Sequence, residues 1–422
     1  MKKLLVVLLV LGFSAAPAMA VQWDFGASVR THAGYYDVDQ EYAKGPYLDG
    51  SIGNDWDDDT GFLMGLDGNS TFTAKAMVSE KFYGVVQLGL RDATRADGNN
   101  DDDYLRMAYG VWNFGAGKLL MGKDYTPGTY LGYSKMSADI GDSGNGNMLL
   151  AGLPYIGRQP QIKLMFGDLD IAFIEQHKDA DDFSTRLAAE GIANTDTDFS
   201  LPRIEAAYVF RTDLVNIRPV VGFQTYELEA DGGGSEDIDS YLVGIGASFD
   251  LKPFYVKATA SYMQNAANYG KGTLGTVTYT GAALDQDGDL EDSDLYQGTL
   301  VAGMKVNKML NIEAGFGYQN AQLDNSTVDV SEDFGLANPL YLGTKDSEQE
   351  AYIYYLQAWI SLSKNVHIIP EIGMIDRNDA EYEWTPEAIA TAAAAGAALP
   401  GGTQKSDLGK MTYGNICFRL EF

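Results

Sequence analysis

Apolar residues recur at every second position along most of this chain. Trp23, Phe25, Ala27 and Val29 form one such set, and Ile204, Ala206, Tyr208 and Phe210 another. Tyr241, Val243, Ile245, Ala247 and Phe249 follow, then Leu310, Ile312, Ala314, Phe316 and Tyr318. Phe82, Val86, Leu88 and Leu90, and Leu105, Met107, Tyr109 and Val111, read the same way. The positions between them hold Gly, Ser, Thr, Gln, Lys, Arg and Glu. Period two sends successive side chains to opposite faces of an extended strand, so each segment has a greasy and a wet face. The last residues keep the pattern, with Ile416, Phe418, Leu420 and Phe422 on one face and Asn415, Cys417, Arg419 and Glu421 on the other.

The connections between these segments alternate between short and long. Short ones centre on Ser79-Glu80-Lys81, Gly115-Ala116, Gly167-Asp168, Arg211-Thr212-Asp213, Asp250-Leu251-Lys252, Asn307-Lys308 and Ser363-Lys364-Asn365. Long ones are expected at 37–60, 92–103, 124–157, 177–200, 227–239, 264–293, 320–348 and 376–408. Seven short and eight long connections join sixteen strands. A sandwich has no reason to sort loop length by parity, whereas a transmembrane barrel has short turns on one side and long loops on the other. The expected fold is therefore all-β: a 16-stranded antiparallel transmembrane β-barrel with short periplasmic turns and long extracellular loops. A mean hydropathy of −0.18 is no objection, because lipid-facing and lumen-facing residues average out in such a wall.

The N-terminus supplies the compartment. Lys2 and Lys3, the apolar stretch Leu4 to Phe13 and Ala18-Met19-Ala20 have the order of an export signal with its cleavage site. The apolar run is too short to span a bilayer as a helix. Residues 1–20 are thus expected to be a signal peptide and residues 21–422 the barrel. A terminal aromatic on an alternating strand matches the end of such a barrel, which places the chain in the outer membrane of a Gram-negative bacterium.

Composition excludes several classes. With 30 Lys and Arg against 59 Asp and Glu, the net charge is −29, which argues against a nucleic-acid partner. The one cysteine, Cys417, cannot form an internal disulfide. His32, His177 and His367 lie in distant segments, and no Ser-His-Asp arrangement is legible, so no enzyme is expected. No cofactor is expected either. Asp285-Gln286-Asp287-Gly288-Asp289 resembles a calcium loop with its glycine misplaced, leaving loop-bound Ca²⁺, or divalent bridges to lipopolysaccharide, as a side reading. Acid gathers in the long connections: Asp55 with Asp57-Asp58-Asp59, Asp101-Asp102-Asp103, Asp179 with Asp181-Asp182, and Asp285 through Asp294. Thr385-Pro386-Glu387 followed by an alanine run predicts a short surface helix capped by Thr385.

Aromatic residues cluster at strand ends. Trp23, Phe82, Trp112, Phe114, Phe210, Phe249, Phe254 and Trp359 fall near the short turns. Tyr35, Tyr104, Tyr226, Tyr241, Tyr262, Tyr296, Tyr318 and Tyr352 fall near the long loops. Two belts suit rings seated at the two headgroup layers.

The stretch from Tyr104 to Phe166 is the most specific. Leu105-Arg106-Met107-Ala108-Tyr109-Gly110, Gly117-Lys118-Leu119-Leu120-Met121-Gly122-Lys123, Leu131 through Gly141, and Gly157-Arg158 together resemble strands four and five, the third loop and the start of strand six of the trimeric general porins. The resemblance implies that residues 124–157 fold into the barrel as a constriction loop. It implies that Arg106 and Arg158 are wall arginines of the constriction and that Asp139 is a carboxylate on the inward loop. Lys135 stands where enteric relatives carry an acid, and Asn69 falls where the family has another wall arginine. The trimer contact implied by the family matches small outward residues on strands one, two and sixteen: Ala27, Thr31, Ala33, Gly68, Ser70, Ala74, Ala76, Thr412 and Gly414.

A barrel of this size leaves a water-filled lumen unless something plugs it. Loop carboxylates Asp139 and Asp142 facing Arg106, Arg158, Arg30 and Arg91 would set a transverse field across the narrow passage. Lys75, Lys163, Arg203, Arg218, Lys257 and Lys305 continue the inward cations. Inward acids are fewer: Asp67, Asp170, Glu205, Glu313 and Glu371. The function expected is passive diffusion of small hydrophilic solutes and ions through a homotrimeric outer-membrane channel, weakly selective with a lean toward anions. A substrate-specific channel with a saturable site is the alternative; an adhesin or structural barrel is a third.

Overall fold

The computed structural model describes residues 21–39, 59–90, 105–130, 132–137, 152–177, 195–230, 235–271, 280–285, 289–329, 341–394, 398–407 and 409–422. They form a closed antiparallel β-barrel of 16 strands. The first five are β1 (Gln22–Asp39), β2 (Asp59–Leu66 and Thr71–Ser79), β3 (Phe82–Gly89), β4 (Leu105–Asn113) and β5 (Lys118–Tyr125). After the third long connection come β6 (Arg158–Phe166), β7 (Leu169–Ile174) and β8 (Thr195–Asp198, Arg203–Tyr208 and Phe210–Arg211). The longer strands follow: β9 (Val215–Ala230), β10 (Ser235–Leu251), β11 (Phe254–Gln264), β12 (Ser293–Lys305), β13 (Leu310–Asp329) and β14 (Tyr341–Ser363). The barrel ends with β15 (Val366–Asp376, extended by Asp379–Trp384) and β16 (Thr403–Asp407 and Lys410–Glu421). No helix among the described residues is long and apolar enough to cross a membrane.

Closure follows from the alternation of the last strand. β1 and β16 pair from Ser28 opposite Glu421 to Asp39 opposite Lys410. Ala27 N–H donates to the Phe422 carbonyl at 2.6 Å, and Phe422 N–H donates back to Ala27 at 3.0 Å. Ile416, Phe418, Leu420 and Phe422 point outward and are exposed, while Asn415 and Cys417 are buried on the lumen side. No strand edge is left open along this seam, which satisfies every ladder group at lipid depth.

The seven short turns lie where the sequence puts them, but the connections expected at 227–239, 320–348 and 376–408 are shortened by longer strands. β9 and β10 pair out to Glu229 opposite Ser235, and β13 and β14 out to Asp329 opposite Tyr341. Beyond the lipid the outer face of a strand meets water while the inner one meets protein, as with Tyr226, Leu228 and Ile238, so the ladder continues past the lipid-facing pattern. The helix α1 (Pro386–Ala394) forms as expected, with Ala388 N–H donating to Thr385 Oγ1 at 3.1 Å. Its Ala388 and Ala392 pack on Leu342, Tyr382, Trp384 and Leu399.

Two irregularities correct the outward assignments. Between β3 and β4, Leu88 faces Leu105 but Gln87 faces Met107, so Arg106 is an extra residue in a β-bulge. The bulge reverses the parity of the rest of β4: Val111 is buried inside and Trp112 is exposed outside. Met107, Tyr109 and Val111 therefore face the lumen rather than lipid. In β2 a turn at 67–70 interrupts the strand. Asn69 N–H donates to Asp67 Oδ1 at 2.5 Å, and Ser70 Oγ donates to the Arg30 carbonyl at 3.0 Å. Ser70 is thus buried, and Gly68 turns its carbonyl to Arg106; neither belongs to the outer face. Ala27, Thr31, Ala33, Ala74, Ala76, Thr412 and Gly414 remain on it, between aromatic groups at each end: Trp23, Phe25 and Phe72 below, Tyr35 and Phe62 above. Trp359 and Tyr226, assigned to the belts, are inward residues; Tyr226 is buried beside Phe199.

Candidate functional site

Residues 126–130, 132–137 and 152–157 of the third long connection lie inside the barrel, and the wall is built to hold them. Glu205, Glu313 and Glu371 are fully buried at inward positions of β8, β13 and β15. Each accepts a backbone N–H of the loop: Gly128 on Glu205 at 2.5 Å, Lys135 on Glu313 at 2.8 Å, Ser137 on Glu371 at 2.6 Å. A buried carboxylate needs several donors to offset its lost hydration. Phenols supply the rest. Tyr255 and Tyr355 donate to Glu313 at 2.6 and 2.7 Å, Tyr413 to Glu371 at 2.9 Å, and Tyr269 to Glu205 at 3.2 Å.

Wall cations grip loop carbonyls in turn. Arg218 Nη2 donates to Pro127 at 2.6 Å, and Lys257 Nζ to Gly132 at 2.5 Å. Tyr130 donates its hydroxyl to the Arg218 carbonyl at 2.5 Å. Burial pushes the phenols of Tyr130, Tyr133 and Tyr155 up, so all three stay protonated at neutral pH. Gly246 has no side chain because the Tyr133 ring lies against its backbone. Tyr130, Met136, Leu153 and Ile156 complete the seat by packing on Val220, Leu242, Leu295, Ile353 and Tyr355. The β8–β15 side of the interior is therefore packed protein.

Cations remain along the opposite wall. Arg106, turned inward by its bulge, donates from Nη1 to the Gly68 carbonyl at 2.8 Å and from Nη2 to Asn69 Oδ1 at 3.0 Å. Arg158 opens β6 with its guanidinium 5.3 Å from the Tyr125 ring centroid. Arg30 on β1 stands opposite Arg419 on β16. Together with Lys135 of the loop and Asp67, these two arginines line a cavity of about 270 Å³ that also exposes Asn69, Ser134, Ser137 and Trp359. Lys75 lies 4.8 Å from the Tyr83 centroid in a second hollow of about 390 Å³ with Asp24, Thr73, Met107 and Tyr109.

The expected site residues thus divide into groups. Arg106 and Arg158 come together with Tyr125 and Tyr155 on one stretch of wall. Arg30 and Lys135 meet at the cavity. Arg91, Asp139 and Asp142 lie outside the described residues. Of the six further cations, Arg203 has no exposed surface and sits 3.5 Å from Glu205, so it belongs to the packed side and not to a water-lined wall. Lys163 is buried and bound to Asp124 at 2.7 Å. Arg218 and Lys257 are occupied by loop carbonyls. Lys75 and Lys305 rest on rings, Lys305 being 5.9 Å from the Tyr255 centroid. Arg419 and Trp359 were not among the expected site residues. Arg419 lay on the inner face of the closing strand, but only the β1–β16 register brings it opposite Arg30. Asp285 accepts the Asp289 N–H at 2.8 Å and closes a hairpin turn; residues 286–288 lie outside the described residues, and among those described no three metal-ligating side chains gather.

No protein-family model matches the sequence, and no curated protein matches it. Solved structures do match. The outer membrane channel DcaP of Acinetobacter baumannii superposes with a TM-score of 0.56 at 13% identity, over 95% of this chain and 97% of that one. The anion-selective porin from Comamonas acidovorans gives 0.52 at 12% identity, over 95% and 100%. OmpT of Vibrio cholerae, folded in vitro and in its trimer form, gives 0.51 at 14% identity, over 96% and 100%. The chain has the fold of a porin barrel. At these identities the likeness carries the architecture; the chemistry of the passage has to come from this chain's own side chains.

Proposed function

We propose that this protein is a non-enzymatic outer-membrane channel for passive diffusion of small hydrophilic solutes and ions, with a weak preference for anions. One observation supports this reading most. The third connection is bound to one side of the barrel, and the opposite wall, from β16 through β1 to β6, carries cations, of which Arg158 and Lys75 are ion-paired with no carboxylate among the described residues. Lys135, Arg419, Arg158 and Lys75 rest on aromatic faces, and a ring quadrupole orients a cation while leaving its charge in the field. A rigid positive wall in a narrow aqueous passage favours anions and orients dipolar solutes.

In this reading residues 1–20 are removed on export and residues 21–422 form the barrel. Three copies pack through the small residues of β1, β2 and β16 between their aromatic borders, and the remaining outer surface meets lipid and lipopolysaccharide. Planar-bilayer recording of the purified protein tests the reading. A conductance step for each subunit with a reversal potential on the anion side of a KCl gradient is expected. A reversal potential on the cation side rejects the anion preference, and absence of conductance rejects the channel.

A further inference from the structure

The sixth long connection, expected at 264–293 among the extracellular loops, also turns into the barrel. Asn265, Ala266, Asn268, Tyr269 and Lys271 are buried. The segment forms a turn of its own, with Tyr269 N–H donating to the Asn265 carbonyl at 3.0 Å and Lys271 N–H to Ala266 at 2.9 Å. Inward side chains of β8 and β9 hold it. Arg203 Nη1 donates to the Tyr269 carbonyl at 2.7 Å, and Gln224 Nε2 to the Asn268 carbonyl at 2.8 Å. Asn268 Nδ2 donates to Tyr226 Oη at 2.9 Å. Gly222 leaves the space that the Tyr269 hydroxyl occupies, since a methyl group there would collide with it. Further along, Ala282 and Leu284 pack with Tyr226, Leu228 and Ile238, and Thr327 Oγ1 donates to the Leu284 carbonyl at 3.3 Å. The connection is thus tied to β9, β10 and β13.

The register places it against the third connection. Glu205 and Gly222 stand opposite each other on β8 and β9. Arg203, Gln224 and Tyr226, which hold the sixth connection, lie on the long-loop side of that pair. Arg218 and Val220, which hold the third, lie on the short-turn side. The two connections meet at Glu205, which accepts the Gly128 N–H at 2.5 Å and the Tyr269 O–H at 3.2 Å, with Arg203 Nε 3.5 Å away. Tyr130, Ala266 and Tyr269 share one apolar cluster there. One buried carboxylate therefore takes a donor from each, and losing either leaves its charge less compensated for the other.

We propose that the sixth connection is a second narrowing element of the pore, in series with the third on its long-loop side, and that Tyr269 positions the two through Glu205. The proposal rests on the channel reading. Chain packed inside a closed wall takes its cross-section from the water, so a solute entering at the long-loop end meets this limit before the one set by the third connection.

Liposome swelling with arabinose and the larger raffinose reads the size limit. Tyr269→Ala should raise the raffinose-to-arabinose rate ratio about threefold or more. Gly222→Ala displaces the same ring from the wall side and should give the same rise. Tyr269→Phe keeps the ring but removes its bond to Glu205, and removes no bond made by the third connection itself. Hydrogen exchange at 128–130 should nevertheless accelerate roughly tenfold in that variant, while β10–β13 stay protected. Arabinose uptake with an unchanged ratio in Tyr269→Ala and Gly222→Ala overturns the second narrowing. Unchanged exchange at 128–130, or acceleration spread through β10–β13, overturns the link through Glu205. No arabinose uptake by the parent protein overturns the channel reading, and the exchange result in detergent still decides the link.

Discussion

Glu313 shows how much of the interior depends on single residues. Its two oxygens accept from the Lys135 N–H, from Tyr255 and Tyr355, and from Gln357 Nε2 at 3.1 Å. Glu313→Gln keeps the shape but turns an N–H₂ toward donors, and a buried donor left unpaired costs about 1–3 kcal/mol. That is roughly 5- to 150-fold in the opening equilibrium of the loop. Hydrogen exchange in the peptide 130–137 should accelerate by that factor while the β10–β13 strands stay protected; unchanged exchange would show that the loop is held elsewhere. Gly246→Ala attacks the same seat from the packing side, because its methyl would meet the Tyr133 ring. Greater open-channel current noise with unaltered barrel stability is the expected readout. The inward facing of Glu205, Glu313 and Glu371 was legible from alternation, but their role was not. Glu313 and Glu371 meet the loop across 178 and 234 residues of sequence, and no local pattern encodes that docking. Arg203 and Lys163 were read as wall charges for the same reason: alternation gives the side of a strand, not the depth of packing on it.

At the scale of elements, legibility follows the solvent. Where one face meets lipid and the other the interior, as in β10 and the end of β16, period two identified both the strand and its facing. The pattern fails where that contrast is absent. The outer ends of β13 and β14 continue as strand with polar residues on both faces. It fails again at the Arg106 bulge, because one inserted residue reverses all later positions and leaves no composition signal. The turn at 67–70 hides likewise within a run of small residues. By contrast, α1 was readable to its cap because Thr385 and Pro386 act locally. Thr385→Ala should remove about 1 kcal/mol from this helix. A roughly fivefold faster exchange of the Ala388 amide is expected, because α1 is held on the extensions of β14 and β15 through Ala388 and Ala392.

For the whole molecule, the decisive feature is the opposition of two fields. The chain carries a net charge of −29, and much of its acid lies in segments joining strands at the long-loop end. The passage below is lined by Arg30, Lys135 and Arg419. An anion entering from that side must pass the first field to profit from the second. Salt separates them by distance. The screening length is about 10 Å at 0.1 M and about 3 Å at 1 M, whereas charges in contact with the permeating ion are screened far less. Raising ionic strength should therefore remove the repulsion at the mouth before it removes the attraction at the cations. For a wall of one sign, selectivity only falls with salt. For this arrangement the anion-to-cation permeability ratio should rise as the KCl concentration goes from about 0.1 M to about 1 M. Reversal potentials at a constant concentration ratio give that dependence directly. A ratio that falls monotonically would mean that the loop acids lie too far from the ion path to act on it, and that the lumen cations alone set the preference.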